Sequence, residues 1–243
     1  MNNLAGAWHT NGQLEKSVPL FEELLQRKTD ELGAEHPGTL LTAANLASNY
    51  RDAKRLADAV PLFQRALVGS KKFPELQWVE PHLAECLRDL GRQDEAISLL
   101  KSLVVEARET LPANSPKLAS RLARLGWLFI ALKLDALDEA ELARREGLSI
   151  REQIEPDVWT TFSSRASLGA VLLKREKFAE AEPLLVSGYE GMEQRANSIP
   201  ENARVGRLRD SLESLVELYR VWDKPDQAAP WQQKLDALKA GSK

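Results

Sequence analysis

At 243 residues, 43% hydrophobic and 28% charged, the chain is long for one globular domain and too apolar to be a disordered polymer. A net charge of −3 and a pI near 5.8 argue against a surface built to neutralise nucleic-acid phosphates. The single cysteine, Cys86, excludes an internal disulfide. The densest basic stretch, Arg121 to Arg151, also carries Asp135, Asp138, Glu139, Glu141 and Glu146 and reads as solvated helix faces. No apolar run is long enough to span a bilayer, and the segment from Met1 to His9 has neither the basic start nor the apolar stretch of a signal peptide. The default expectation is a soluble, cytoplasmic chain without nucleic-acid or membrane partners.

In chain order one pattern recurs: a leucine, a small residue directly after it, and a large apolar residue four positions on. The leucines are Leu4, Leu46, Leu83, Leu125, Leu168 and Leu215, separated by 42, 37, 42, 43 and 47 residues. The small column reads Ala5, Ala47, Ala84, Gly126 and Gly169, with Val216 in the sixth place; the large column reads Trp8, Tyr50, Leu87, Phe129, Leu172 and Tyr219. Offsets of three and four share one helix face, so each leucine marks a first helix. A second helix is expected to start thirteen residues later, at Ser17, Ala59, Ala96, Ala181 and Ala228. In the fourth unit the distance is fifteen, to Ala140, which predicts a two-residue insertion in the turn between Lys133 and Ala136. Four units carry a proline two residues further on, Pro19, Pro61, Pro183 and Pro230, expected near a helix start, where few N–H groups have intrahelical partners.

These columns predict an all-α chain of about six helix-turn-helix units, near 1–36, 37–73, 74–113, 114–155, 156–199 and 200–243, forming one repeat domain over 1–243. The small residue lets the two helices of a unit approach, and the large one fills the gap beside it. Leu46-Ala47-x-x-Tyr50, Ala59-x-x-x-Phe63 and Ala66 resemble the core of the tetratricopeptide repeat. The period near 42 residues and the connector Leu32-Gly33-Ala34-Glu35-His36-Pro37 are similar to the kinesin-light-chain-like variety. The resemblance implies an α-solenoid wound as a right-handed superhelix, used to hold protein or peptide partners. The C-terminal third, with Ala181-Glu182-Pro183-Leu184-Leu185, Gly188-Tyr189-Glu190-Gly191 and Lys224-Pro225, resembles the repeat tails of bacterial serine/threonine protein kinases such as those of planctomycetes. None of the kinase signatures occurs in these residues. Leu4 stands close to the start for an anchor leucine, so upstream repeats or a further domain are expected; Gln232 and Gln233 give the last helix the polar face of a terminal unit.

No catalytic constellation emerges, and neither a cofactor nor a metal is expected. His9, His36 and His82 lie in different units without the i, i+4 spacing of a helical metal site. His36 before Pro37 suits a turn, and His9 a solvated helix end. Cys86, four residues from His82, falls in the apolar pattern Leu83, Cys86, Leu87, Leu90 and reads as an inert core thiol. The acidic pairs Glu22-Glu23, Asp94-Glu95 and Glu180–Glu182 read as surface charge rather than as a desolvated acid–base pair. Trp8 belongs to the core column, Trp159 to a first-helix start, and Trp222 and Trp231 to the last turn.

Binding residues follow from the resemblance, since first helices line the concave groove of such folds. The residues before the anchor leucines are Asn3, Asn45, His82, Arg124, Ser167 and Ser214; neighbouring columns add Ser48, Arg51, Trp78, Glu85, Arg88 and Trp127. Asparagine grips both backbone groups of an extended peptide, and Arg51, Arg88 and Arg124 suit carboxylates or phosphates. A solvated face of ordinary Arg–Glu pairs is the open alternative, as core packing is for Trp78 and Trp127. Some tetratricopeptide domains clamp a chaperone's terminal carboxylate with lysine and asparagine; here only Asn45 and Arg124 match, with Ala44 and Ser48 at the other columns.

Overall fold

The structure, a computed structural model, describes residues 2–70 and 72–240. Among them are twelve α-helices and no strand. In order they are α1 (Asn2–Thr10), α2 (Leu14–Leu32), α3 (Pro37–Asp52), α4 (Leu56–Ser70), α5 (Val79–Asp89), α6 (Gln93–Thr110), α7 (Pro116–Ala131), α8 (Leu137–Ile154), α9 (Trp159–Lys174), α10 (Phe178–Gln194), α11 (Glu201–Val221) and α12 (Pro225–Ala240). The chain divides into two compact bodies, Met1–Leu99 and Leu100–Lys243, with the boundary inside α6.

One turn geometry joins the helices of every pair. Three residues separate the helices, and five do so between α7 and α8, so the predicted two-residue insertion is present. Eight residues past each anchor leucine the backbone is left-handed, at Gly12, Lys54, Gly91, Lys133, Glu176 and Asp223, with φ between 51 and 75°. The next residue's N–H donates to the carbonyl of the large column at 2.7–3.1 Å, as Arg55 does to Tyr50 and Leu134 to Phe129. These bonds occupy carbonyls that a helix end leaves without partners. Only two of the six positions are glycine, although the conformation favours it.

The second helices begin three residues earlier than expected. Ser17, Ala59, Ala96, Ala140, Ala181 and Ala228 therefore lie one turn inside them, where all but the half-buried Ala228 are buried. Pro19, Pro61, Pro183 and Pro230 consequently sit inside their helices rather than at the starts. All four face solvent, where water can satisfy the carbonyl that proline leaves without a donor. At helix starts proper, His36 caps α3 by accepting from the Gly38 N–H at 3.1 Å, and Ser115 caps α7 by accepting from Leu118 at 3.2 Å.

The leucine and small columns form the core. Leu46, Leu83, Leu125, Leu168 and Leu215 are buried, whereas Leu4 is 50% exposed and Trp8 only half-buried, which corrects the reading of Trp8 as a core residue. The glycines of the small column have specific neighbours: a Cβ on Gly169 would come within 2.6 Å of Leu185 Cγ, and one on Gly126 within 2.9 Å of Arg144 Cγ. Ser17 Oγ donates to Asn49 Oδ1 at 2.5 Å, and both side chains are buried. Tyr50 and Tyr219 tie neighbouring helix pairs together by donating to Glu22 at 2.6 Å and Glu182 at 2.7 Å. Burial and these acceptors push both phenols up to about 12. Trp222 packs on Phe178 and Trp231 on Tyr189, with ring centroids 5.8 and 5.6 Å apart, and Gln232 and Gln233 are exposed.

Candidate functional site

In the first body the expected residues gather around Arg51. Its guanidinium reaches from α3 to α5, donating to His82 Nδ1 and lying 3.6 Å from Glu85, while it also pairs with Asp52 at 2.8 Å. Asp52 in turn meets His9 Nε2 at 2.8 Å, so His9 has a carboxylate partner rather than a free, solvated ring. Trp78, the residue before α5, meets His82 edge-on at 5.6 Å and Phe63 at 6.4 Å. Burial, followed by the nearby Arg51 charge, holds the His82 imidazole below its ordinary pKa. Neutral His82 thereby accepts the Arg51 hydrogen bond. Arg88 pairs with Asp89 at 2.6 Å and approaches Glu85 at 3.8 Å. Each of these two arginines is followed in sequence by the aspartate that holds it. Asn45 is half-buried, Ser48 buried and Asn3 exposed. Cys86 is wholly buried, and burial pushes its thiol up to about 11, which leaves negligible thiolate for nucleophilic chemistry.

In the second body the expected residues open onto a cleft of 380 Å³. Ser120, Arg124 and Trp127 line it from α7, Arg144 and Arg151 from α8, Trp159, Ser163 and Ser167 from α9, and Arg207 from α11. Offsets of three and four along α7, and 144, 147, 148 and 151 along α8, put each set on one helix face. Trp127 is 55% exposed at this cleft, so its indole is a surface contact and not core packing. A smaller cleft of 180 Å³ shares Trp127, Arg144 and Arg207 and reaches Ser214. No acidic residue lines the larger cleft. Gly147 brings α8 close to α7, since a Cβ there would stand 3.1 Å from the Ala119 carbonyl.

Three arginines of this cleft escaped the sequence reading. Arg144 is only 8% exposed, its Nε has no hydrogen-bond partner, and burial followed by the Arg207 charge pushes it down to about 10. Arg151 is 7% exposed and its Nε is likewise unpartnered, but its terminal nitrogens are held, donating to Ser120 at 2.7 Å, Thr160 at 3.0 Å and Glu155 at 3.2 Å. A signal for Arg144 was nevertheless present. Four residues past the small residue of each second helix the chain reads Phe21, Phe63, Leu100, Arg144, Leu185 and Gln232, so an arginine takes a core column. Outside the cleft, Glu141 corrects the reading of the stretch from Arg121 to Arg151 as solvated helix faces. It is buried and receives Arg145 at 2.7 Å, Lys177 at 3.1 Å and Arg175. Burial works to raise the Glu141 carboxyl, but these hydrogen bonds outweigh it and hold it below the ordinary range. Among the described residues no cluster of His, Cys, Asp and Glu could hold a metal ion, and no helix is long and apolar enough to cross a membrane.

Residues 1–71 match the tetratricopeptide repeat family model. Among curated proteins no sequence relative matches. Among solved structures the chain is similar to the TPR-like repeats of a Podosopora anserina kinesin light chain, with 22% identity and a TM-score of 0.61 over 79% of this chain and 93% of that one. It is similar as well to BtubC (BKLC) of P. vanneervenii, at 16% identity and a TM-score of 0.66 over 94% of this chain and 92% of that one. The type IV pilus biogenesis factor PilW follows with 15% identity and a TM-score of 0.54, covering 97% of this chain and 90% of that one. At these identities the likeness concerns the fold alone. The paired helices, the recurrent turn and these neighbours together establish an all-α fold of the tetratricopeptide α-solenoid type, with the repeat signature itself carried by residues 1–71.

Proposed function

We propose that the chain is a non-catalytic protein-interaction scaffold that holds a peptide segment of a partner against its first helices. The carrying observation is the convergence of α7, α9 and α11, three successive first helices, on one cleft lined by Arg124, Trp127 and Ser167 together with Arg207. Aromatic and arginine side chains in a concave, partly desolvated setting are the groups that most often dominate binding energy. In the first body, Asn45, Arg51, Trp78, His82 and Arg88 make up the corresponding candidate surface, with Asn3 on α1 and Ser48 beneath it. Selection of peptides displayed against the full chain tests the reading. Sequences enriched on wild type should fall at least tenfold on Arg124→Ala or Trp127→Ala, and undiminished enrichment on both overturns the assignment.

A second reading makes the chain the regulatory region of a larger bacterial serine/threonine kinase. It is favoured by the C-terminal resemblance at Ala181–Leu185, Gly188–Gly191 and Lys224-Pro225. An in-frame kinase domain in the DNA upstream of Met1 supports it, and an upstream stop codon overturns it.

A further inference from the structure

Arg144 poses an energetic problem that the fold does not solve. It occupies the column where Phe21, Phe63, Leu100 and Leu185 fill the core, and like them it is more than nine-tenths buried. A desolvated guanidinium is costly unless it is paired. Among the described residues Arg144 nevertheless has no carboxylate partner, its Nε is unsatisfied, and the charge bearing on it is the like charge of Arg207. Glycine at 126 is what makes room for this side chain, since a Cβ there would stand 2.9 Å from Arg144 Cγ. The arginine is thus accommodated sterically and left uncompensated electrostatically, with its head group at the wall of an open cleft.

The missing partner must be an anion, and the charge count selects its kind. Arg151 is already held by Glu155, Ser120 and Thr160. Arg144 and Arg207 are two further guanidinium charges in this cleft, which Arg124 also lines and no acid does; Asp210 lines the smaller cleft beside them. A carboxylate would neutralise one of them. A phosphate monoester, carrying about −1.5 to −2 at neutral pH with three strong acceptor oxygens, matches both and suits bidentate guanidinium contacts. Ser163 and Ser167 offer hydroxyl donors on the facing helix, and Trp127 provides an apolar wall for the chain that carries the ester.

We propose that this cleft takes a phosphorylated side chain of the partner peptide, its phosphoryl dianion bound between Arg144 and Arg207; the proposal rests on the peptide-binding reading above. The test uses the full chain and calorimetric titration with four probes: a degenerate heptapeptide pool with central phosphoserine, the matched serine and aspartate pools, and inorganic phosphate. The phosphoserine pool is expected to bind at least tenfold more tightly than the other two pools and than phosphate. Arg144→Met and the surface change Arg207→Ala should each remove at least a tenfold share of that preference. Arg144→Met should also melt at or above the wild-type temperature, because it restores an apolar side chain to an apolar column; a structural arginine would instead lower it. Equal affinity for the three pools, or wild-type preference in both variants, overturns the phosphoryl assignment while leaving peptide binding intact. Binding of inorganic phosphate as tight as that of the phosphoserine pool overturns the peptide component and leaves only an oxyanion site.

Discussion

Ser17 and Asn49 stand in columns that other units fill with alanine and with Cys86, Leu128, Val171 or Leu218, and they survive burial by bonding to each other. Ser17→Ala leaves the Asn49 oxygen without that partner and should cost about 1–3 kcal/mol in denaturant unfolding, since an unmet buried polar group loses its hydration for nothing. The double change Ser17→Ala with Asn49→Leu removes both polar groups and should recover most of that loss. The left-handed turn residues point the other way. Lys133 and Glu176 hold φ of 51 and 58°, a conformation that costs a side-chain-bearing residue about 1–2 kcal/mol. Glycine in either place gives some of this back as unfolded-chain entropy, so Lys133→Gly and Glu176→Gly should each raise stability by about 0.5–1 kcal/mol, read as a higher melting temperature.

Helices meet where the sequence supplies nothing to keep them apart. A Cβ on Gly188 of α10 would lie 2.6 Å from the Ala166 backbone nitrogen on α9. Backbone cannot give way as a flexible side chain can, so Gly188→Ala should destabilise by about 1–3 kcal/mol, with α9 and α10 the first to lose hydrogen-exchange protection. Glu141 ties α8 to Arg175 and Lys177 of the turn between α9 and α10. Glu141→Gln keeps the shape but removes the charge those cations answer to, and a loss of about 2–3 kcal/mol is expected in denaturant unfolding. At this scale much of the fold was legible: the anchor leucines, the small column and the lengthened fourth turn all follow from spacing. The starts of the second helices were not, because the small residue that marks each of them, Ser17 or an alanine, lies one turn inside it. The turn conformation was hidden as well, since lysine, glutamate and aspartate occupy positions that only backbone geometry reveals as left-handed.

For the molecule as a whole, pH acts through several groups that titrate in the same direction, the imidazole of His82 and the carboxyls of Glu141, Asp52, Glu139, Glu95 and Glu217. The imidazole of His82 is held below its ordinary pKa in the native protein, so the unfolded chain takes up the proton first. Stability should begin to fall as pH drops below about 6.5, the unfolded value, and continue falling until the lower native value is passed. Glu141 is likewise depressed, so its contribution is present above the unfolded carboxylate value and disappears at more acid pH as the native value is crossed. Melting temperature followed from pH 7.5 downward should therefore decline in two stages. His82→Gln should flatten the first and Glu141→Gln part of the second; an unchanged first stage in His82→Gln would assign it to other groups.

The sequence by itself determined the helical pairs, their period and the residues that hold each pair closed, because those depend on local spacing and side-chain size. It placed Asn45, Arg51, His82, Arg88, Arg124 and Trp127 on first helices for the same reason, whereas Trp78 falls just before one. Which of their charges were free was a tertiary matter. Arg51 and Arg88 turned out to be held by Asp52 and Asp89, whereas Arg144, in a column that reads as core, came to rest buried beside Arg207 in a cleft that no acid lines. Hydrophobic columns repeat along the chain and can be counted there. The balance of charge at a cleft depends on helices far apart in sequence, and only their packing decides it.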